Sequence, residues 1–221
     1  MQTPMKKVFC VGANKTATTS LRDVLVRLGY KVPNTQLQER TIGNSLRQGD
    51  YSPLKRLVRK YDAFKDIPFS IEQNYAILDA LFPNQKFILT VRDPDAWFDS
   101  LVAFHKKVFG FDSVSQVDED FVRNQMHYVE ADYMHEHSKR IVTRFNSTDE
   151  TIRFDWSRLY DKGYRVSQYL KRNEDIIRFF FNRPEQLLVI DLTREKDTSK
   201  IIDFLGLPLK FVSPVPHMNA T

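Results

Sequence analysis

The sequence is poor in cysteine and glycine and has no long apolar segment. Its single cysteine, Cys10, excludes a disulfide framework within the chain, and its place in an apolar run indicates a buried small side chain. No stretch approaches the roughly 18–20 consecutive apolar residues of a membrane span. The first residues also lack the long apolar stretch of a secretory signal. We therefore expect an intracellular, cytoplasmic protein that has no membrane partner.

Long runs of one charge are also missing. The 221 residues carry 33 Lys and Arg against 28 Asp and Glu, which gives a net charge of +5. A basic balance suits an anionic ligand, a nucleic acid or a membrane surface, but no basic run has the length of a nucleic-acid-binding tail. The length suits one domain over residues 1–221, and 17 Phe and 9 Tyr can fill its core.

Short apolar runs alternate with helical patterns along the chain. The apolar runs predict strands at residues 7–11, 61–64, 86–91 and 187–190. The 3.6-residue periodicity, with Gly29 and Gly206 as stops and Pro94 as a start, predicts helices at residues 21–28, 70–81, from 94 onward, 163–181 and 198–205. This alternation indicates an α/β fold of three layers, in which helices cover both faces of a central parallel sheet.

The middle of the chain has a different character. A helical stripe of Val122, Met126, Val129 and Tyr133 runs through the polar residues 114–145. The least regular stretch is Asn146–Asp155, which we expect to be a surface loop. Residues 110–160 are therefore predicted to form a segment of helices and loops beside the sheet.

A polar loop joins the first strand directly to the first helix. It runs from Gly12 to Ser20 and contains Lys15 and four hydroxyl side chains. Backbone N–H groups and the positive end of a helix hold phosphate in this context, and Lys15 adds a full charge. The loop lacks the Gly-Lys-Ser/Thr order of a Walker A motif, because Lys15 comes too early. The alternative is a helix cap rich in Thr and Ser.

A second motif follows the strand at residues 86–91. Arg92 ends this strand, so it should point into the crevice at the carboxyl edge of the sheet. Ser100 lies two helical turns further along, and both side chains can converge on one phosphate, with Arg92 as a bidentate donor. The alternative pairs Arg92 with Asp93 or Asp95 and leaves Trp97 in the core.

Both motifs resemble those of sulfotransferases. The stretch KTATTSL, residues 15–21, is similar to the loop that binds the 5′-phosphosulfate of 3′-phosphoadenosine-5′-phosphosulfate, which implies donor binding by Lys15, Thr16, Ala17, Thr18, Thr19 and Ser20. Ala17 replaces the usual glycine, and close backbone approach survives if its φ stays negative. Ser20 stands where many members have a tryptophan that stacks on adenine. The stretch from Arg92 through Ser100 resembles the segment whose Arg and Ser hold the 3′-phosphate of the donor.

The resemblance extends over most of the chain and implies a P-loop-like fold. It includes LLVI at 187–190, FLGLP at 204–208 and PHMN at 216–219, and it is weakest over residues 30–60 and 110–160. It implies sulfuryl transfer to a hydroxyl, less favourably to an amine, of a small molecule or sugar. We expect the segment 110–160 to shape the acceptor pocket. We also expect no metal ion, because the loop and Arg92 neutralise the charge of the donor, and no nucleic-acid partner.

The general base implied by the resemblance is Asp66. It stands in Lys65-Asp66-Ile67-Pro68, where cytosolic sulfotransferases have a catalytic histidine before Leu-Pro. Lys15 would stabilise the leaving phosphate oxygen. The alternatives are that Asp66 caps the following helix or pairs with Lys65, and that a histidine of the helical segment is the base.

Several other residues have two interpretations. His127 and His135 can share a helix face, but no Cys or carboxylate set completes a metal site at recognised spacing. His217 and Asn219 either touch the nucleotide or belong to an untethered tail. The pairs Tyr164-Arg165 and Arg172-Asn173 either contact the donor or form a solvated helix face.

Two other classes of function remain open from the residues alone. One is a P-loop phosphotransferase that uses a nucleoside triphosphate and Mg²⁺, although the early Lys15 argues against it. The other is a basic binding module without catalysis, which the net charge alone suggests.

Overall fold

A computed structural model of the protein describes residues 6–39, 41, 48–128 and 132–216. The chain divides into two compact units. The first unit consists of the residues up to Asp93 together with those from Lys171 onward, and the second is Pro94–Leu170.

The secondary structure alternates between strands and helices, as the sequence predicts. The strands are β1 Val8–Cys10, β2 Ala63–Phe64, β3 Lys86–Thr90, β4 Thr143–Asn146, β5 Thr151–Phe154 and β6 Leu187–Ile190. The helices are α1 Thr18–Arg27, α2 Ser52–Lys60, α3 Asn74–Leu81, α4 Pro94–Phe109, α5 Glu119–Gln125, α6 Tyr133–Val142, α7 Lys162–Phe179 and α8 Ser199–Leu205. Residues 35–39 are also helical. Short 3-10 turns lie at Val114–Gln116, Trp156–Tyr160, Pro184–Gln186 and Leu209–Phe211.

The first unit is built on a parallel sheet with the strand order β2-β1-β3-β6. Val8 pairs with Ala63 on one side and with Lys86 on the other, so β1 lies at the centre. The chain passes from β1 to the neighbour on one side, β2, and then to the neighbour on the other side, β3. The predicted α/β class with a central parallel sheet is confirmed.

Both faces of this sheet are buried, because successive strand residues point to opposite sides. One face contributes Phe9, Phe64 and Phe87 to a cluster with residues of α2 and α3 and the end of α7. The other face contributes Val8, Cys10 and Ile88 to a cluster with residues of α1 and α8. The sheet of the first unit is therefore the middle of three layers.

The predicted helix boundaries follow from residues with special backbone properties. Gly29 has φ +88° just after α1, and Gly206 has φ +66° at the end of α8, a conformation that favours glycine. Pro94 is the first residue of α4, where its missing N–H costs no hydrogen bond. Helix α3 starts four residues later than predicted. Helix α2, with Leu54, Leu57 and Val58 buried, was not predicted.

The second unit contains α4, α5, α6, a β-hairpin and the start of α7. Of the predicted helical stripe, Val122, Met126 and Tyr133 are buried, while Val129 lies outside the described residues. The prediction of an irregular loop at Asn146–Asp155 was wrong. Strands β4 and β5 pair there as an antiparallel hairpin, with Phe145 opposite Ile152. Asp149 accepts a hydrogen bond from the N–H of Thr151, which stabilises the turn.

Within the described ranges, no helix combines the length and apolar character needed to cross a membrane.

Candidate active site

Three adjacent strands of the first unit deliver polar residues to one edge of the sheet. The loop that begins at Gly12 follows β1, Asp66 follows β2, and Arg92 follows β3. Because the strands are parallel neighbours, their carboxyl ends meet at the same edge. The chain leaves β1 toward opposite sides in turn, so this edge is a topological switch point, where open α/β sheets bind ligands.

Gly12 lets the loop leave β1 in close contact with β3. A Cβ atom at this position would lie 2.0 Å from Oγ1 of Thr90 and 2.5 Å from its carbonyl oxygen. Backbone atoms cannot yield to such an overlap, so only glycine fits here. Thr90 is completely buried at the end of β3 and ties the loop to the sheet.

The loop turns through two residues with left-handed backbone conformations. Lys15 has φ +70° and Ala17 has φ +64°. The condition of a negative φ at Ala17 is therefore not met, because the loop keeps a conformation that glycine adopts more readily. Ala17 is also the N-cap of α1 and makes no side-chain capping bond. The first-turn N–H groups of α1 consequently have no intrahelical acceptor and no capping side chain from Ala17.

The loop hydroxyls are less uniform than the sequence suggested. Thr16 is completely buried and donates to the carbonyl of Ala13 at 2.6 Å, and its Oγ1 lies 2.7 Å from Oγ1 of Thr90. The hydroxyl of Thr18 donates to Oδ1 of Asp66 at 3.0 Å. Thr16 and Thr18 thus direct their hydroxyls to acceptors within the protein. These bonds involve the hydroxyl groups of Thr16 and Thr18 and not their backbone N–H groups.

Two guanidinium groups donate to the backbone at the edge of the sheet. Arg92 donates from Nη1 to the carbonyl of Lys15 at 3.3 Å. Arg172, on the part of α7 that belongs to the first unit, donates from Nη1 to the carbonyl of Val11 at 3.0 Å. Arg172 is half-buried, so this position is not part of a fully solvated helix face. Together with Lys15, these residues give the loop a positive surrounding that suits a phosphate group.

Asp66 lies two residues beyond β2 and faces α1. Its Oδ1 accepts the bond from Thr18, and Lys65 donates from Nζ to its Oδ2. The predicted alternative of an ion pair with Lys65 is therefore present. A role as helix cap is not, since α3 begins only at Asn74 and its N-cap makes no side-chain bond. Asp66 stands at the loop with its φ at +55°.

The remaining predicted positions lie in the second unit. Ser100 is on α4, and its convergence with Arg92 on one phosphate stays a prediction. Asp95 pairs with Nζ of Lys162 at 3.0 Å. Trp97 is buried and stacks on Tyr169, with ring centroids 4.2 Å apart, so a core role is present. Arg165 donates to the carbonyl of Leu159, and burial lowers the pKa of Arg165 to about 10.

Two histidines of the second unit, His135 and His105, are engaged with other side chains. His135 is buried, stacks on Trp156, and has its Nε2 3.0 Å from Oε1 of Glu119. His105 has its Nδ1 2.8 Å from the hydroxyl of Tyr160. Within the part of the chain that the structure describes, no group of three His, Cys, Asp or Glu side chains is arranged to hold a metal ion.

His217 and Asn219 lie outside the described residues.

Two site-supporting residues were not found from the sequence. Thr90 is a polar residue directly after the apolar run Phe87–Leu89 of β3, and that contrast was the available signal. Gln38 is completely buried and donates from Nε2 to the carbonyl of Lys65 at 2.9 Å. Nothing in the sequence around Gln38 marks it, because its partner is 27 residues away.

A comparison with known protein families bears on the whole of this arrangement. A search of curated proteins found no match. A family model described as a sulfotransferase domain matches residues 7–221, which includes β1, its loop, Asp66 and Arg92. Since this match covers nearly the entire chain and every strand of the parallel sheet, the protein belongs to the sulfotransferase family and is a transferase of sulfuryl groups.

Proposed function

We propose that this enzyme transfers a sulfuryl group from 3′-phosphoadenosine-5′-phosphosulfate to a hydroxyl group of a small molecule or sugar. The observation that carries the proposal is the meeting of three features at one edge of the sheet: the loop after β1, Asp66 after β2 and Arg92 after β3. An amine acceptor is the less favoured variant, because amines need less help from a carboxylate base.

The residues present suit the donor nucleotide. The 5′-phosphosulfate would be held by Lys15 and the N–H groups of Thr16, Ala17, Thr18, Thr19 and Ser20. The 3′-phosphate would be held by Arg92 and Ser100. Lys15, Arg92 and Arg172 offset the donor's negative charge, and the left-handed turns at Lys15 and Ala17 support a loop whose N–H groups converge.

The chemistry divides between two residues of the first unit. When bound, the nucleotide supplies the sulfuryl group and departs as 3′-phosphoadenosine 5′-phosphate. Lys15 and the loop N–H groups stabilise the negative charge that grows on the departing phosphate oxygen. Asp66 accepts the proton of the acceptor hydroxyl on its carboxylate as the new oxygen–sulfur bond forms.

The acceptor side is proposed more coarsely. We expect residues 110–160 to contribute the acceptor-binding side chains, in keeping with the aromatic residues of the second unit. Cytoplasmic location, independence from metal ions and the absence of a nucleic-acid partner stay predictions.

Binding of nucleotides without any acceptor tests the donor assignment. Titration calorimetry should show that 3′-phosphoadenosine 5′-phosphate binds more tightly than adenosine 5′-phosphate by about tenfold or more, because the second nucleotide lacks the phosphate assigned to Arg92. Arg92→Gln should remove most of this preference. Arg27→Gln is the matched control, since it removes one charge at the exposed far end of α1 and should leave the preference intact.

Equal affinity for the two nucleotides would contradict the assignment of the 3′-phosphate. Tight binding of a nucleoside triphosphate that depends on Mg²⁺ would favour a phosphotransferase instead.

A further inference from the structure

The two carboxylate oxygens of Asp66 have different hydrogen-bond donors. Thr18, the first residue of α1, donates its hydroxyl to Oδ1 at 3.0 Å. Lys65 donates from its ammonium group to Oδ2. Thr18 is 5% exposed and Lys65 is 7% exposed, so both donors lie beneath the surface. Contacts at such burial are much less weakened by water than surface contacts.

Lys65 is held in place from its own backbone. Its carbonyl accepts a hydrogen bond from the completely buried amide of Gln38. A lysine is almost never buried without a partner, and its partner here is Asp66. The backbone of Asp66 is fixed as well, because its carbonyl accepts bonds from the N–H groups of Phe69 and Ser70 at 2.8 and 3.0 Å.

We propose that Thr18 and Lys65 are positioning residues for Asp66, with the Thr18 hydroxyl serving the carboxylate while its N–H serves the donor phosphate. This inference rests on the proposed role of Asp66 as the base. Each carboxylate oxygen has two lone pairs, so one donor on each oxygen leaves room for the acceptor hydroxyl. Donors on both oxygens hold the carboxylate in one orientation.

The arrangement couples donor binding to the orientation of the base. Thr18 is adjacent to Ala17, where the loop turns into α1, and the same residue reaches Asp66 at the end of the neighbouring strand. If the Thr18 hydroxyl bound the phosphate, its removal would weaken nucleotide binding. If it holds Asp66, its removal should lower kcat and leave nucleotide binding unchanged.

Thr18→Val and Thr18→Ser separate the two uses of the hydroxyl. Thr18→Val keeps the branched shape and the N–H, so affinity for 3′-phosphoadenosine 5′-phosphate in calorimetry should stay within about twofold of the wild type. Its kcat should fall about tenfold, as for loss of one hydrogen bond to a charged group. Thr18→Ser keeps a hydroxyl at this position and should restore kcat.

A comparison in the Asp66→Asn background tests whether Thr18 acts through Asp66. Adding Thr18→Val to Asp66→Asn should cost little further turnover, since contacting residues show non-additive effects. Thr19→Val is the matched control: it removes the neighbouring hydroxyl, and whatever it costs in turnover should be the same in the Asp66→Asn background as in the wild type. Lys65→Met should lower kcat and, like Thr18→Val, should cost little further turnover in the Asp66→Asn background, with thermal melting used to verify folding.

Several outcomes would overturn the proposal. A tenfold loss of nucleotide affinity in Thr18→Val with normal kcat would make the hydroxyl a phosphate ligand. Full additivity of Thr18→Val and Asp66→Asn would show that Thr18 acts elsewhere. Wild-type turnover in Asp66→Asn would show that Asp66 is not the base. The proposed function is tested separately, by whether the wild-type protein binds 3′-phosphoadenosine 5′-phosphate more tightly than adenosine 5′-phosphate.

Discussion

Ala17 occupies a position in the loop whose backbone conformation favours glycine. It has φ +64° and ψ 30° at the N-cap of α1, a conformation in which a Cβ atom is crowded by its own backbone. The closure of the loop onto Thr90 and α1 holds this conformation. The cost is local, and a substitution can measure it.

Ala17→Gly should stabilise the protein. The left-handed conformation costs alanine about 1–2 kcal/mol, which glycine avoids. Glycine also gives the unfolded chain more conformational freedom, which offsets about 0.4–1 kcal/mol of that gain. We therefore expect the free energy of unfolding to increase by about 0.5–1 kcal/mol. Urea unfolding checks this value. Ala13→Gly in the same loop is the control: its φ is not positive, so it should lose stability. Equal effects from the two changes would contradict the backbone argument.

At the scale of elements, one carboxylate joins three pieces of the second unit. Glu119, the first residue of α5, accepts bonds from Arg123 within the same helix at 2.8 Å and from the Trp156 indole at 3.1 Å. It also lies 3.0 Å from Nε2 of His135 on α6. The hydrogen bond with His135 is the largest cause that lowers the pKa of Glu119 below its usual value. Glu119 therefore links α5, α6 and the turn that contains Trp156.

This link should make stability depend on pH in a defined direction. Because the folded pKa of Glu119 lies below its unfolded value, its contribution is present above the usual pKa of a glutamate and is lost as pH falls through the folded value. Glu119→Gln should reduce the melting temperature at pH 7, and the difference from the wild type should shrink toward acid pH. Glu174→Gln removes an exposed pair with Arg178 and should change little at any pH. A constant difference between Glu119→Gln and the wild type from pH 3 to 7 would contradict the link.

The β-hairpin shows what short elements hide from sequence patterns. Residues Phe145, Ile152 and Phe154 lie on one side of β4 and β5, and Arg144 and Arg153 on the other. This period of two is typical of a strand, but each strand has four residues and is mostly exposed. An alternation over four residues is a weaker signal than the polar turn residues around it, and the polarity of those residues favoured the prediction of a loop.

At the scale of the whole molecule, Cys10 reports on global opening. It lies in the central strand β1, is completely buried, and has its Sγ 3.8 Å from Oγ1 of Thr90. Burial, aided by the charge of Asp66, raises the pKa of the Cys10 thiol to about 11. The native thiol is therefore neither exposed nor ionised at ordinary pH.

Alkylation of Cys10 by iodoacetamide at pH 8 should require unfolding. Labelling of the native protein should be at least about 10³-fold slower than in guanidinium chloride, as expected if it follows the global equilibrium. Ser147→Cys in a Cys10→Ala background places the thiol in the exposed hairpin turn and should label quickly in the native state. Fast labelling of native Cys10 without unfolding would contradict the central placement of β1.

Because the raised pKa of Cys10 lets the unfolded state ionise first, the stability that depends on this neutral thiol should be lost as pH rises from about 9 to 11.

The alternation of apolar runs and helical periods determined the class of the fold and the place of its main strands. Local chemistry is sufficient for this, because a continuous apolar run such as the one in Lys86–Thr90 is typical of a strand that is buried on both faces. The same holds for Gly29, Gly206 and Pro94, whose backbone properties set the helix ends. The loop at 12–20, Arg92 and Asp66 were also identifiable from the sequence, since each follows a strand.

The tertiary structure alone decided how these residues are used. The order β2-β1-β3 places Asp66 and Arg92 on opposite sides of the loop, and nothing in the local sequence specifies that order. The partners of Thr16, Thr18 and Lys65 are far away or across a strand, and a hydroxyl takes whichever acceptor the fold brings within about 3 Å. The positive φ of Ala17 has the same origin, because the closure of the loop onto Thr90 and α1 overrides the preference of the residue.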